Sequence, residues 1–174
     1  MLLRYVPSEI EEIVSDLYQN FGIESPCQMD VDFIASIWGV EVWHYPFPAQ
    51  SIWNDDHSII CLNTMTAIEK RRADFFHELG HIVRHEGHQE GLHPLFVELQ
   101  EWQANRFQLI AAMPYYLLPD PVYTWNEYAG VLADTFRVPV TMALRRVATI
   151  KARLQPEENK KGDFNHEGQD ISTR

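Results

Sequence analysis

Cysteine and positive charge are scarce in this chain of 174 residues, and a long apolar run is missing altogether. The two cysteines, Cys27 and Cys61, are isolated, with no C-x-x-C pair and no even spacing. That excludes a structural zinc ribbon and a disulfide scaffold, and leaves both as small, mostly buried residues. Lys and Arg number 14 against 25 Asp and Glu, a formal charge of -11. A broad electrostatic grip on nucleic acid or anionic lipid needs a basic face, so neither is expected, although a local basic patch is compatible with the total. No stretch approaches the ~20 apolar residues of a membrane span. The opening MLLRYVPSEIEE breaks at Pro7 and turns acidic too early for a signal peptide. The expectation is a cytosolic protein with no membrane partner. No internal repeat is present.

What the chain does have is length for one domain with a real core, at 45% hydrophobic residues. The organising stretch is TAIEKRRADFFHELGHIVRHE, residues 66–86. Thr66 and Glu69 have the spacing of a capping box and Gly87 that of a stop, while Ala73, Phe76, Leu79, Gly80 and Val83 recur at helical spacing. On that helix His77-Glu78-Leu79-Gly80-His81 is an HExxH pattern. Two His four residues apart lie one turn, ~6 Å, apart on one face, so both imidazoles can reach one cation. Glu78, one position round, can reach a water on that cation and take its proton.

The elements around this helix follow from local signals. Ser8 and Glu11 make a second capping box, opening a helix with a stripe of Ile10, Ile13, Leu17 and Phe21 that ends at Gly22. A short helix is expected from Asp30 to Trp38, closed by Gly39. Residues 40–45, 51–53 and 58–62 are rich in β-branched and aromatic residues, with Pro46 and Pro48 as breaks and Asn54-Asp55-Asp56 as a turn. They predict a small antiparallel sheet directly before the His-bearing helix, whose edge could also pair with an extended peptide. After a loop, Pro94 opens a helix to Ala112, with Leu95, Leu99, Trp102, Phe107 and Ile110 as apolar contacts and Glu98, Glu101 and Asn105 on one face. A Pro- and Tyr-rich turn at 114–121 precedes a third capping box, Thr124 with Glu127. It opens a helix carrying Tyr128, Val131, Leu132 and Phe136, and Pro139 separates this from a last helix from Val140 to about Leu154. The fold class is therefore α+β and mostly helical. The domain covers 1–154, and 155–174 is expected to be a disordered polar tail.

A catalytic zinc needs a third ligand and an open fourth position. Glu101, twenty residues after His81 on the return helix, can bring its carboxylate against the two imidazoles. Asn105, one turn on, is placed to accept the free ring N–H of a ligand His. Glu98, one turn earlier, competes for the ligand role. His85 lies two turns, ~12 Å, from His77 and is too far to share the ion. A metzincin would need Gly at 84 and His at 87, where this chain has Arg84 and Gly87.

HELGHIVRH followed by EWQANRFQLIAAMP resembles the ImmA/IrrE family of zinc metallopeptidases, as does the closing segment LADTFRVPVTMALRRV. The likeness spans roughly residues 8–150; Gln108, Ala111 and Ala112 depart from the family's usual small and Leu residues. The resemblance implies a zincin-like domain of the gluzincin type and peptide-bond hydrolysis. It gives His77, His81 and Glu101 as ligands of Zn2+, Glu78 as general base and Asn105 as the residue orienting a ligand. It further implies a role in phages, mobile elements or stress responses, in which a helix-turn-helix repressor is cleaved or inactivated. The A-[ND] pattern favours Glu101 over Glu98, and His2Glu suits zinc, though another divalent ion such as manganese could occupy it.

Tyr115, Tyr116, His88 and His93 are all candidates for the donor to a developing oxyanion. Substrate selection is expected to lie in an exosite, on the N-terminal helices or the Trp-rich 38–53 region. Two other readings compete. One is DNA binding through residues 126–154 as a helix-turn-helix bearing Arg145, Arg146, Lys151 and Arg153, although basic residues near a helix C-terminus usually complement its dipole. The other is a non-proteolytic antirepressor on the same fold.

Overall fold

The computed structural model describes residues 3–84, 93–120 and 124–156. In chain order they form β1 (Leu3–Tyr5), α1 (Glu9–Asn20), α2 (Val31–Ile37), β2 (Glu41–Tyr45), β3 (Gln50–Trp53) and β4 (Ser58–Asn63), then α3 (Ile68–Arg84), α4 (Pro94–Ala112), α5 (Trp125–Phe136), α6 (Val140–Arg153) and β5 (Leu154–Pro156). The α+β class holds, with helices dominant and a small sheet before α3. No described helix is long and apolar enough to cross a membrane.

The middle element is α3. Ala73, Phe75, Phe76 and Leu79 are buried, and the helix packs on α4, on β4 and on β3. It begins at Ile68, so Ala67 stands at the cap position and the expected Thr66–Glu69 box is out of register. The Thr66 hydroxyl instead donates to the Asn63 carbonyl at 3.0 Å, and Arg71 donates to the Asn63, Thr64 and Thr66 carbonyls, tying the helix start to the end of β4. The expected stop at Gly87 and the side chain of His85 lie outside the described residues.

The sheet is mixed rather than antiparallel. Its order is β2-β4-β3, with β2 parallel to β4 and β3 antiparallel to it. Pro46 and Pro48 prevent a tight hairpin between β2 and β3, and β4 carries the most continuous apolar run, Ile59 to Leu62. The strand that can bury both faces takes the centre. Asn54 closes the β3–β4 turn through its Oδ1, which accepts from the Asp56 and His57 amides.

α1 forms with its Ser8–Glu11 capping box, but it is rotated about one residue, ~100°, from the expected stripe. Glu11, Val14, Ser15 and Tyr18 face inward, while Ile13 and Phe21 are about half exposed. The rotation is set by polar partners. Glu11 pairs with Arg146 of α6 at 2.7 Å, and the Tyr18 hydroxyl donates to the Ala111 carbonyl at 3.3 Å. In α4, Phe107 and Ile110 are buried as expected, but Leu95, Leu99 and Trp102 are exposed, because the N-terminal half of the helix extends past the core. The Thr124–Glu127 box opens α5. β1 pairs antiparallel with β5, which takes in Gln155 and Pro156, so the stretch expected as tail begins in a strand; residues 157–174 lie outside the described residues.

Candidate metal centre

α3 and α4 approach each other closely at Gly80, where the missing Cβ makes room. A Cβ built on Gly80 would lie 3.0 Å from the Ala104 Cα and 3.0 Å from its carbonyl oxygen. Any side chain at Gly80 would push α4 outward. One turn before His77, Gln108 of α4 donates from Nε2 to the Ala73 carbonyl at 2.8 Å, locking the register of the pair. Here the departure at Gln108 acquires a structural use.

This register brings Glu101 over the two imidazoles. His77 Nε2 and His81 Nε2 are 3.2 Å apart, and the Glu101 oxygens Oε2 and Oε1 lie 3.4 Å from His77 Nε2 and His81 Nε2 respectively. A tetrahedral ion ~2.0–2.1 Å from each of three ligand atoms would hold them roughly 3.3 Å apart. The Nε2–Nε2 distance is close to that separation, each imidazole faces a different oxygen of the one carboxylate at a similar distance, and with one atom from each residue the three donors lie within 4.8 Å of one another. Two imidazoles and one carboxylate suit zinc chemistry. His77, His81 and Glu101 could thus hold a metal. Glu98 is exposed and outside this group.

Glu78 stands beside the triangle. Its Oε2 accepts from the Ser51 hydroxyl at 2.7 Å, a contact between α3 and β3 across 27 residues. Burial pushes the Glu78 carboxyl above its ordinary pKa, against the pull of the Ser51 hydroxyl and His77. Ser51 was not anticipated from the chain, since a lone Ser in a short strand carries no signal. Asn105 sits one turn beyond Glu101, but its Oδ1 faces Arg145 at 3.4 Å and not an imidazole, and its Nδ2 donates to the Glu101 carbonyl at 2.7 Å.

The oxyanion candidates separate. Tyr115 stacks on Tyr5 at 5.9 Å between ring centroids, and the Tyr116 hydroxyl donates to the Ile23 carbonyl at 2.8 Å, so both serve packing. His93 caps α4, its Nδ1 accepting from the Leu95 amide, and His88 lies outside the described residues. The helix-turn-helix reading loses a side chain to the core, because Arg146 is 1% exposed and bound to Glu11. Lys151 lies over the Trp125 ring at 4.8 Å.

Gly80→Val is expected to spread α3 from α4, lower the unfolding midpoint and remove high-affinity metal binding together. Overpacking a tight core contact costs about 1–3 kcal/mol. Chemical denaturation and zinc titration of the variant check both effects.

Comparison with known proteins gives concordant results. The family model described as the IrrE N-terminal-like domain, Peptidase M78, matches residues 35–148. The phage-like element PBSX protein XkdA of Bacillus subtilis (strain 168) is 33% identical over 148 residues, 84% of this chain and 75% of that protein. The uncharacterized protein YqaB of the same organism is 27% identical over 154 residues, 87% of this chain and 90% of its own.

Proposed function

The chain belongs to the IrrE N-terminal-like peptidase family, and we propose that it is a zinc-dependent endopeptidase that cleaves or inactivates a helix-turn-helix repressor of a phage or mobile element. The observation that carries this reading is the His77–His81–Glu101 triangle with Glu78 held against it by Ser51. The name of the phage-like-element relative supports the genetic setting. The protein would act in the cytoplasm, on a protein partner, without contacting nucleic acid itself.

Zinc held by His77, His81 and Glu101 would lower the pKa of water to roughly 7 and polarise the scissile carbonyl. Glu78 accepts the proton of the attacking water and later returns it to the leaving amine nitrogen. Burial raises its pKa above the ordinary carboxylate value, which strengthens it as a base. The Ser51 hydroxyl engages Oε2 and holds the carboxylate's orientation. Asn105 bonds the Glu101 backbone carbonyl within α4 and does not meet either imidazole.

Substrate would lie along β3, which is an edge of the described sheet and carries Ser51. An extended peptide added there gains main-chain hydrogen bonds close to Glu78. The outer face of the same sheet offers the Trp-rich exosite: Trp43, Tyr45, Phe47 and Ile52 are exposed around a groove of about 310 Å3.

The test is metal content by mass spectrometry for wild type, Glu101→Ala and Glu98→Ala, paired with cleavage of the repressor. The expected result is about one zinc per chain, lost with Glu101 and kept without Glu98, since a catalytic site rests on three protein ligands. A wild type that stays metal-free when zinc is offered would overturn the peptidase reading and favour the contact-only antirepressor.

A further inference from the structure

Two adjoining clefts, of about 490 and 510 Å3, run between the start of α1, the outer face of α4 and the length of α6. Ser8, Trp102, Arg106, Ile110 and Arg153 line both. In a chain with a formal charge of -11, five arginines gather here: Arg84, Arg106, Arg145, Arg146 and Arg153. Of these, among the described residues, only Arg146 has a carboxylate within ion-pair distance, Glu11. Glu11 and Glu9 each border one cleft, so the groove is not free of acid, but two carboxylates against five arginines leave it positive.

The second observation is at the buried end. Arg146 is 1% exposed and lines the cleft; Nη1 is spent on Glu11 and Nε on the Met113 carbonyl, yet the buried Nη2 has no hydrogen-bond partner. A buried charged donor left unpaired is costly, and this guanidinium adds its positive charge to the buried end of the cleft. Leu109 and Ile110 of α4 and Ala148 and Ala152 of α6 add apolar surface to the same lining. Trp102, 58% exposed, stands at the junction with the Arg106 guanidinium over its ring at 5.6 Å.

We infer that this groove binds a small polyanion carrying a flat ring, of the nucleoside phosphate class. Arginine forks match phosphate oxygens in pairs, and Arg106 and Arg153, which line both clefts, with the other arginines along them suit a ligand with more than one charge. The exposed Trp102 and the apolar lining supply a stacking surface for the ring. The volume is that of a small-molecule pocket. None of His77, His81 and Glu101 lines either cleft, although Asn105, which bonds the Glu101 carbonyl, lines one of them, and the inference does not rest on the peptidase reading.

The experiment is calorimetric titration of the full chain, without added metal, with ADP, pyrophosphate, adenosine and a thymidine oligonucleotide. ADP is expected to bind saturably, one per chain, with pyrophosphate and adenosine weaker because each offers half of the recognition. The double variant Arg106→Ala/Arg153→Ala is expected to weaken ADP by at least about tenfold, the scale of one lost charge-assisted contact. Trp102→Leu should weaken ADP and leave pyrophosphate unchanged. Matching thermal midpoints establish that the variants fold, and Arg106→Gln alone serves if the double variant melts early. Absence of saturable ADP binding in the millimolar range, ADP binding unaltered by the arginine variants, or oligonucleotide binding where ADP fails would each overturn the inference.

Discussion

Glu78→Gln is expected to lower hydrolysis of the target repressor by about 10²–10⁴-fold, the usual contribution of a positioned general base. Metal content and fold should stay unchanged. The amide keeps the size of the side chain and can still bond Ser51, but it takes no proton at any accessible pH. Glu78 is not one of the three residues of the donor group, so zinc per chain should match wild type. The pairing of lost cleavage with retained metal separates catalysis from ligation, which Glu101→Ala cannot do. If derepression of target genes persists in Glu78→Gln with zinc retained, the protein acts by contact alone. Ser51→Ala is a graded companion. It removes the hydroxyl that favours the ionised carboxylate, so the Glu78 pKa rises further and the acid limb of the kcat/KM profile moves to higher pH. A limb in its wild-type position would deny Ser51 that role.

The second large effect is on stability. Arg146→Met should destabilise the fold by about 3–5 kcal/mol, because it leaves Glu11 charged and buried without its cationic partner. The loss also strips the Met113 carbonyl of the Arg146 Nε donor at 3.1 Å. Replacing both members, as in Glu11→Leu with Arg146→Met, should recover most of it, since a buried pair is often matched by apolar residues of similar volume. Urea unfolding followed by circular dichroism measures both variants. The same pair sets an acid limit. Burial alone would raise the Glu11 pKa, but Arg146, with hydrogen bonds from Tyr5 and Ser8, holds it at about 2 against an ordinary 4.5. A carboxyl depressed on folding stabilises fully above its unfolded value. This contribution is therefore complete above about pH 4.5 and is lost as the pH falls toward about 2. The acid dependence of wild-type stability should flatten in the double variant.

The elements and the chemistry of the centre were legible along the chain because both depend on local spacing. His77 and His81 share a face by the pitch of one helix, Pro94 and Met113 bracket α4, and the Ser8 and Thr124 boxes mark the starts of α1 and α5. Tertiary structure decided what local spacing leaves open. Apolar periodicity alone did not fix the rotation of α1, because its buried face includes a glutamate whose partner lies 135 residues away. Strand patterns identify strands but not neighbours, so β4 took the centre of a mixed sheet by apolar content and the geometry of Pro46 and Pro48. The approach of α4 to α3 depends on Gly80 against Ala104, which turns two unremarkable residues into the support of the Glu101 carboxylate. Ser51 on Glu78 and the arginines gathered between α4 and α6 exist only once distant segments are folded together, since a contact between remote residues has no local sequence correlate.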